Sequence, residues 1–389
     1  MANELYPFPH GGVLRGDLEA SPGASTTVSD TETLFCPPDA SFNSFKRVMI
    51  ERPGQAAFIA GFKPSRGMAM GEYSITVDLD HEILDGSTVL TAGSRAGVPQ
   101  ADLWLRAGGF EAAYTSDADY SGVKPDNVTL SGGTNDEIIT YTYKPRQGTA
   151  GSSAKLVYTE INSAGDEGRT HTLTSCRHGW TISVPSGERV TMACEGKSLA
   201  TPIAKDSSPT TGSSLPDEEE VVGLGANVSL HAVADSVTYG KSGETDDAST
   251  LGALSIYDLE ISSNLEIDAK PAPTGTYGIG SIRYNPGTPT ATFRLDQVTF
   301  EDDFDIESFR DDREILRLTM AIANPDDDVS FIVIQFEGYI TDIQGDSADG
   351  YRGAQITMQL GYPDSSSDGG GLDPAALMTL KYVTVIAAP

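Results

Sequence analysis

The chain of 389 residues carries 56 acidic against 26 basic residues, a formal net charge of -30, with 38% hydrophobic residues, 41 Gly and 22 Pro. That length allows two ordinary domains with cores of their own, and the composition excludes a disordered or collagen-like chain. The negative charge is widely spread, which argues against a protein that grips nucleic-acid phosphates, and no apolar run approaches the roughly 20 residues of a membrane span.

The opening Met1-Ala2-Asn3-Glu4 lacks the basic and apolar regions of a secretory signal, so the expectation is a protein made and kept in a cytoplasm. Residues 1–44 are rich in Pro, Gly, Ser and Thr and read as an extended N-terminal arm that lies along a neighbouring subunit. Strands are predicted at Phe45–Ile50, Ala57–Phe62 and Tyr73–Leu79, the last with Tyr73, Ile75, Val77 and Leu79 on one face. A short helix is predicted over Ala101–Gly109, where Leu103, Trp104 and Ala107 share a face and Gly108-Gly109 supplies the stop. Strands resume at Asn127–Leu130, Glu137–Tyr143, Lys155–Ile161, Thr170–Ser175, Thr181–Val184 and Glu188–Ala193, the last two joined by the turn Pro185-Ser186-Gly187.

The polar stretch 196–220 reads as a linker, which divides the chain into a first β-sandwich over 45–195 and a second over 221–389. In the second half the expected strands are Val228–Ala232, Leu254–Ile261, Thr290–Leu295, Val329–Phe336, Ala354–Leu360 and Met378–Ile386. Arg313–Ala323 allows a short helix in place of a strand, because Leu316, Met320 and Ala323 share a helical face. Long hairpins are expected over Glu137–Ile161 and Gly338–Leu360. Both halves present similar successions of strands and turns, which suggests a duplicated fold without a residue-level repeat.

The sequence holds no reactive signature. The five histidines do not fall at zinc spacing, and no nucleophile elbow, phosphate loop or dinucleotide fingerprint occurs. Asp117-x-Asp119-x-Ser121-Gly122 begins like a calcium loop, but Val128 stands where the bidentate Glu is required. The acidic runs Glu301–Glu314 and Asp326–Asp328 read as a wet face, Cys36, Cys176 and Cys194 as reduced thiols, and Trp104 and Trp180 as core residues. No enzyme, cofactor or metal is expected.

Two successions of residues resemble the tail-tube (major tail) proteins of long-tailed, siphovirus-like bacteriophages. The first runs from Leu103-Trp104-Leu105-Arg106-Ala107-Gly108-Gly109-Phe110 through Ala113-Tyr114-Thr115 to Val128-Thr129-Leu130. The second runs from Leu173-Thr174-Ser175-Cys176-Arg177 through Trp180-Thr181-Ile182 to Val190–Gly196, with His178 where the family's turn has glycine. In the second half, Leu259–Ile267 and the segment from Ile282-Arg283 to Phe293 are similar to the family's strand-loop-strand region.

This resemblance implies an all-β protein of two tandem tail-tube-like β-sandwich domains with a short flanking helix and long hairpins. It implies a virion tail protein, made in the host bacterial cytoplasm, that forms stacked rings as a conduit for DNA ejection. A chain with two such domains would close as a homotrimer, a chain with one as a hexamer. Tape-measure, tail-terminator and baseplate proteins would be its partners, DNA would pass transiently, and the chain itself would not enter a membrane. Intersubunit contacts are expected at the hairpin tips, at Gln147, Gly148, Thr149, Ala150, Gly151 and Ser152, and at Asp346, Ser347, Ala348, Asp349, Gly350 and Tyr351. The alternatives are a carbohydrate- or calcium-binding adhesion module, an acidic glycoside hydrolase, and another tail component such as a terminator or baseplate hub.

Overall fold

The computed structural model describes residues 12–24, 26–28, 33–34, 36–37, 39–50, 65–79, 99, 101–117, 120, 137–146, 151–161, 167–185, 189–209, 237–241, 256–296, 306–311, 316–324, 327–346, 353–361 and 378–386. Among them the first half holds β1 (Gly12–Glu19), β2 (Thr33–Leu34), β3 (Ser41–Ile50), β4 (Ser65–Asp78), α1 (Asp102–Ala107), β5 (Phe110–Asp117), β6 (Glu137–Pro145), β7 (Ser153–Ile161), β8 (Gly168–Val184), β9 (Thr191–Leu199) and β10 (Ala204–Asp206). The second half holds β11 (Val237–Lys241), β12 (Ile256–Ser262), β13 (Glu266–Pro271), β14 (Ile279–Asn285), β15 (Thr290–Asp296), α2 (Ile306–Asp311), β16 (Leu316–Asn324), β17 (Asp327–Asp346), β18 (Gly353–Leu360) and β19 (Met378–Ile386). The protein is mostly β, and among the described residues every strand pairing is antiparallel.

β8 and β17 are long because each serves two sheets in succession. The C-terminal halves of both belong to a long sheet in the order β3-β4-β9-β8-β12-β15-β18-β17. The N-terminal half of β17 belongs to a second sheet, β11-β16-β17-β19-β6-β5. The N-terminal half of β8 belongs to a third, β2-β1-β7-β8-β10. β13 and β14 pair only with each other among the described residues, as a ribbon.

The pairing scheme repeats between the halves. In each, the strand before the long one pairs its N-terminal half (β7 on β8, β16 on β17), and the strand after it pairs its C-terminal half (β9 on β8, β18 on β17). The series β3-β4-β9-β8 is followed in the long sheet by β12-β15-β18-β17, with the same connection order, and β1-β7-β8-β10 has its counterpart in β11-β16-β17-β19. A short helix precedes β7 in one half and β16 in the other. The β5–β6 hairpin and the β13–β14 ribbon are extra to this scheme.

Both halves feed one continuous core. It joins Tyr73, Ile75, Met192, Ile182, Ile261, Phe293 and Ile356 of the long sheet to Tyr141, Tyr143, Ile332, Ile334, Phe336, Met320 and Leu380 of the second. Alternation accounts for this: in β18 every second residue is buried, as a strand with one wet face requires. Trp104 and Trp180 are core residues, at 3% and 5% exposure.

Several expectations change at this level. The helix allowed at Arg313–Ala323 is strand β16, and the helix lies earlier, at Ile306–Asp311. The stretch reads Leu316, Leu318, Met320, Ile322, an alternation that pairing with β11 and β17 exploits. Glu137–Ile161 is not a hairpin, since β6 pairs with β5 and β19 while β7 pairs with β1 and β8. The Gly338–Leu360 hairpin is present as β17–β18. Thr170–Ser175 and Thr181–Val184 are parts of one strand, β8. Part of the N-terminal stretch is strand β1, paired with β7 and burying Leu14, and the segment read as a linker begins inside β9. The predicted strands Ala57–Phe62, Asn127–Leu130 and Val228–Ala232 and the loop from Asp119 to Val128, apart from Tyr120, lie outside the described residues.

Candidate assembly surface

The midpoint of β8 is where its two sheets part, and a buried carboxylate fixes the bend. Ser175 has φ 53, a left-handed conformation in the middle of a strand. Its N–H donates to both carboxylate oxygens of Glu19, at 3.0 and 3.1 Å, and the same carboxylate accepts from Ser153 Oγ at 2.6 Å and from the Gly23 N–H at 3.0 Å. Glu19 is 6% exposed, so the four bonds replace the water it gives up.

Immediately beyond the bend, Cys176, Arg177 and His178 are all buried. The Arg177 guanidinium donates to the Ile282 carbonyl at 3.0 Å and the Gly151 carbonyl at 2.8 Å, and lies 4.9 Å from the centre of the Tyr284 ring. Tyr284 donates its hydroxyl to the Ala107 carbonyl at the end of α1. Lys197, the register partner of Arg177 on β9, donates to the Ile267 carbonyl at 2.5 Å. The two cations thus hold one carbonyl on each strand of the β13–β14 ribbon, above a small core of Ile267, Ile279 and Ile282. The ribbon leaves the second half and folds back over β8, β9 and β4 of the first.

His178 sits beneath this arrangement with its Nδ1 2.9 Å from the Tyr73 hydroxyl. Burial pushes the imidazole down to about 4, partly countered by the nearby Trp104 backbone, so the ring is neutral at pH 7. Burial likewise holds the Tyr73 phenol well above its ordinary value, so both partners of this contact are neutral at pH 7. Burial raises the thiols of Cys176 and Cys194 too, and both are free. Neither carries the thiolate character of a reactive cysteine.

Among the described residues the halves join edge to edge at two places, β6–β19 and β8–β12, and the ribbon crosses the second. There β8 and β12 form a ladder, with Val184 opposite Leu259, Ser183 opposite Glu260, Ile182 opposite Ile261 and Thr181 opposite Ser262. The first and third pairs are buried, while Thr181 and Ser262 face outward within 3.5 Å of each other. Ser263 closes the seam, donating to the Trp180 carbonyl at 2.9 Å and accepting the Trp180 N–H at 3.0 Å.

At the two ends of the long sheet the corresponding edges have no strand partner among the described residues: β3 pairs only with β4, and β17 beyond Gly338 pairs only with β18. On the latter edge Thr341, Asp342, Gln344 and Gly345 are exposed, and on β3 Ser41, Asn43 and Lys46 are. The outward N–H and C=O groups of an edge strand are a template for another strand, although at Ser44 on β3 both are taken within the chain, the N–H by His171 Nδ1 at 3.5 Å and the carbonyl by the Thr201 N–H at 2.9 Å.

Of the twelve residues expected at intersubunit contacts, Gln147, Gly148, Thr149, Ala150, Ser347, Ala348, Asp349, Gly350 and Tyr351 lie outside the described residues. Gly151 is buried beneath Tyr284 of its own chain, Ser152 is half-buried, and Asp346 ends β17. Sequence reasoning did not single out Glu19, Lys197 or the β8–β12 seam. Among the described residues no group of His, Cys, Asp and Glu is placed to hold a metal ion, and no helix is long and apolar enough to cross a membrane.

No family model matches the chain, and no curated protein matches it. Among solved structures, the crystal structure of the di-domain ARO/CYC StfQ from the steffimycin biosynthetic pathway is 10% identical, over 77% of this chain and 88% of that one, with a TM-score of 0.10. At that score the likeness carries no argument about fold or function.

Proposed function

We propose that this chain is a non-enzymatic structural subunit that self-assembles into stacked rings, forming the tail tube of a long-tailed bacteriophage and a conduit for its DNA. The observation that carries the reading is the repeated pairing scheme: two like sets of strands are joined edge to edge at β8–β12, and among the described residues the ends of the same sheet have no further strand partner. A unit that joins its own like in this way is suited to continue the join from chain to chain.

On this reading the halves are tandem tail-tube-like β-sandwich domains, and three chains make a ring of pseudo-sixfold symmetry. The long sheet has an even number of antiparallel strands, so its two edge strands run in opposite directions. Repetition head to tail therefore keeps the antiparallel alternation across the chain boundary. The family resemblance of the Leu173–Arg177 and Leu103–Phe110 segments adds the tail-tube identity, and the net charge of -30 suits a wall along which DNA passes without adhering.

Electron microscopy of the purified chain, at increasing protein and salt concentration, tests this. Salt screens the mutual repulsion of so acidic a surface, so hollow rings and then tubes are expected to accumulate as ionic strength rises. A chain that stays monomeric throughout would overturn the reading.

A further inference from the structure

The β8–β12 seam inside the chain specifies the contact between chains. We infer that the distal half of β17, residues 341–346, pairs antiparallel with β3 of a second copy, as β8 pairs with β12 within one copy. The inference rests on the assembly reading above and goes beyond it in naming the two strands.

Equivalence of position is the first argument. β8 and β17 are each the last strand of a like series, and β3 and β12 are each the first. β12 has found β8; β3 and the distal half of β17 are the corresponding edges that have found no strand partner among the described residues.

Irregularity is the second. β12 carries a bulge between Tyr257 and Glu260, and still forms the seam with β8. β3 is bulged against β4 between Asn43 and Lys46. Bulges that would normally blunt an edge are thus shared with a strand that does pair on its far side.

Charge is the third. Residues 341–346 read Thr-Asp-Ile-Gln-Gly-Asp, with two acids and no cation, whereas β3 carries exposed Lys46 and half-buried Arg47, whose guanidinium lies over the Phe45 ring, in a chain where acids outnumber bases more than two to one. Lys46 also meets Glu72 on β4. Opposite charges on the two edges steer this pairing and disfavour β17 against β17 or β3 against β3.

The chain's β5 edge competes for the same role. β5 pairs only with β6 among the described residues, over a regular register from Phe110–Pro145 to Asp117–Ile138. Its hairpin joins the halves through β6 and β19, but β5 itself has no counterpart in the repeated scheme, so the ring contact is assigned to β17 and β3.

A photoreactive benzoylphenylalanine at Gln344, in the full chain, identifies the neighbour. Equal parts of ¹⁴N- and ¹⁵N-labelled protein are mixed before assembly, so that mass spectrometry separates cross-links between chains from those within one. Mixed-isotope cross-links to the 41–47 peptide are expected. The same label at Asn43 should return cross-links to 341–346, which guards against a Gln344 variant that fails to fold. Oligomers whose mixed-isotope cross-links map to β5 or elsewhere would overturn the strand assignment and leave the tube reading standing. Cross-links between β17 and β3 in particles that never form hollow rings would uphold the assignment and sink the tube. A persistent monomer would overturn both.

Discussion

His178 shows how a single side chain ties this fold to pH. Its folded pKa of about 4 lies below the ordinary 6.5, so between those values the unfolded chain binds the proton and the folded chain does not. Stability is therefore full above about pH 6.5, falls as the pH drops toward 4, and loses roughly 3 kcal/mol over that window. Burial lowers His171 in the same direction, which adds to the acid loss. Urea unfolding at pH 7 and at pH 4.5 should show the drop, and His178→Gln, which keeps a polar group but cannot titrate there, should flatten it. An unchanged pH dependence in that variant would mean that the proton uptake belongs to other groups. The sequence offered only a histidine beside Cys176-Arg177; that the ring is fully buried against Tyr73 depends on strands 105 residues apart.

At the scale of elements, the ribbon is the feature with the most specific geometry. It continues the β12–β15 pair past a bend where Asn264, at φ 47, donates its side-chain amide to the Thr288 carbonyl at 2.7 Å. At Gly287 a Cβ would stand 1.6 Å from the Asn264 carbonyl oxygen, a distance only a backbone shift relieves. Gly287→Ala should cost about 1–3 kcal/mol, as overpacking does, and raise hydrogen exchange in residues 266–285 above that in β12 and β15. Equal exchange in all four strands would show that the bend does not position the ribbon.

Locally coded elements were legible. α1 announced itself by Leu103, Trp104 and Ala107 before a glycine pair, and β4 by the alternation of Tyr73, Ile75 and Val77. Partners were not legible, because a strand's period fixes its faces and says nothing of its neighbour. β6 therefore read as half of a local hairpin, while its ladder runs to β19 near the other end of the sequence. β16 was ambiguous because Leu316, Met320 and Ala323 fit a helical face as well as Leu316, Leu318 and Met320 fit a strand, a choice that tertiary pairing made. The β8–β12 seam was invisible for the same reason: Thr181–Val184 and Leu254–Ile261 were each read as strands, with nothing to say they meet.

At the scale of the whole molecule, two like units per chain, joined within the long sheet at β8–β12 and in the second sheet at β6–β19, leave long-sheet edges that close three chains into a ring. Native mass spectrometry of the smallest closed particle counts those chains directly. Three are predicted, with two-unit chains giving a pseudo-sixfold outline. A particle of two chains would mean a self-complementary contact in place of a head-to-tail one, and a lone chain at every concentration would mean that the open edges of β3 and β17 are not an assembly surface; either result would contradict the account.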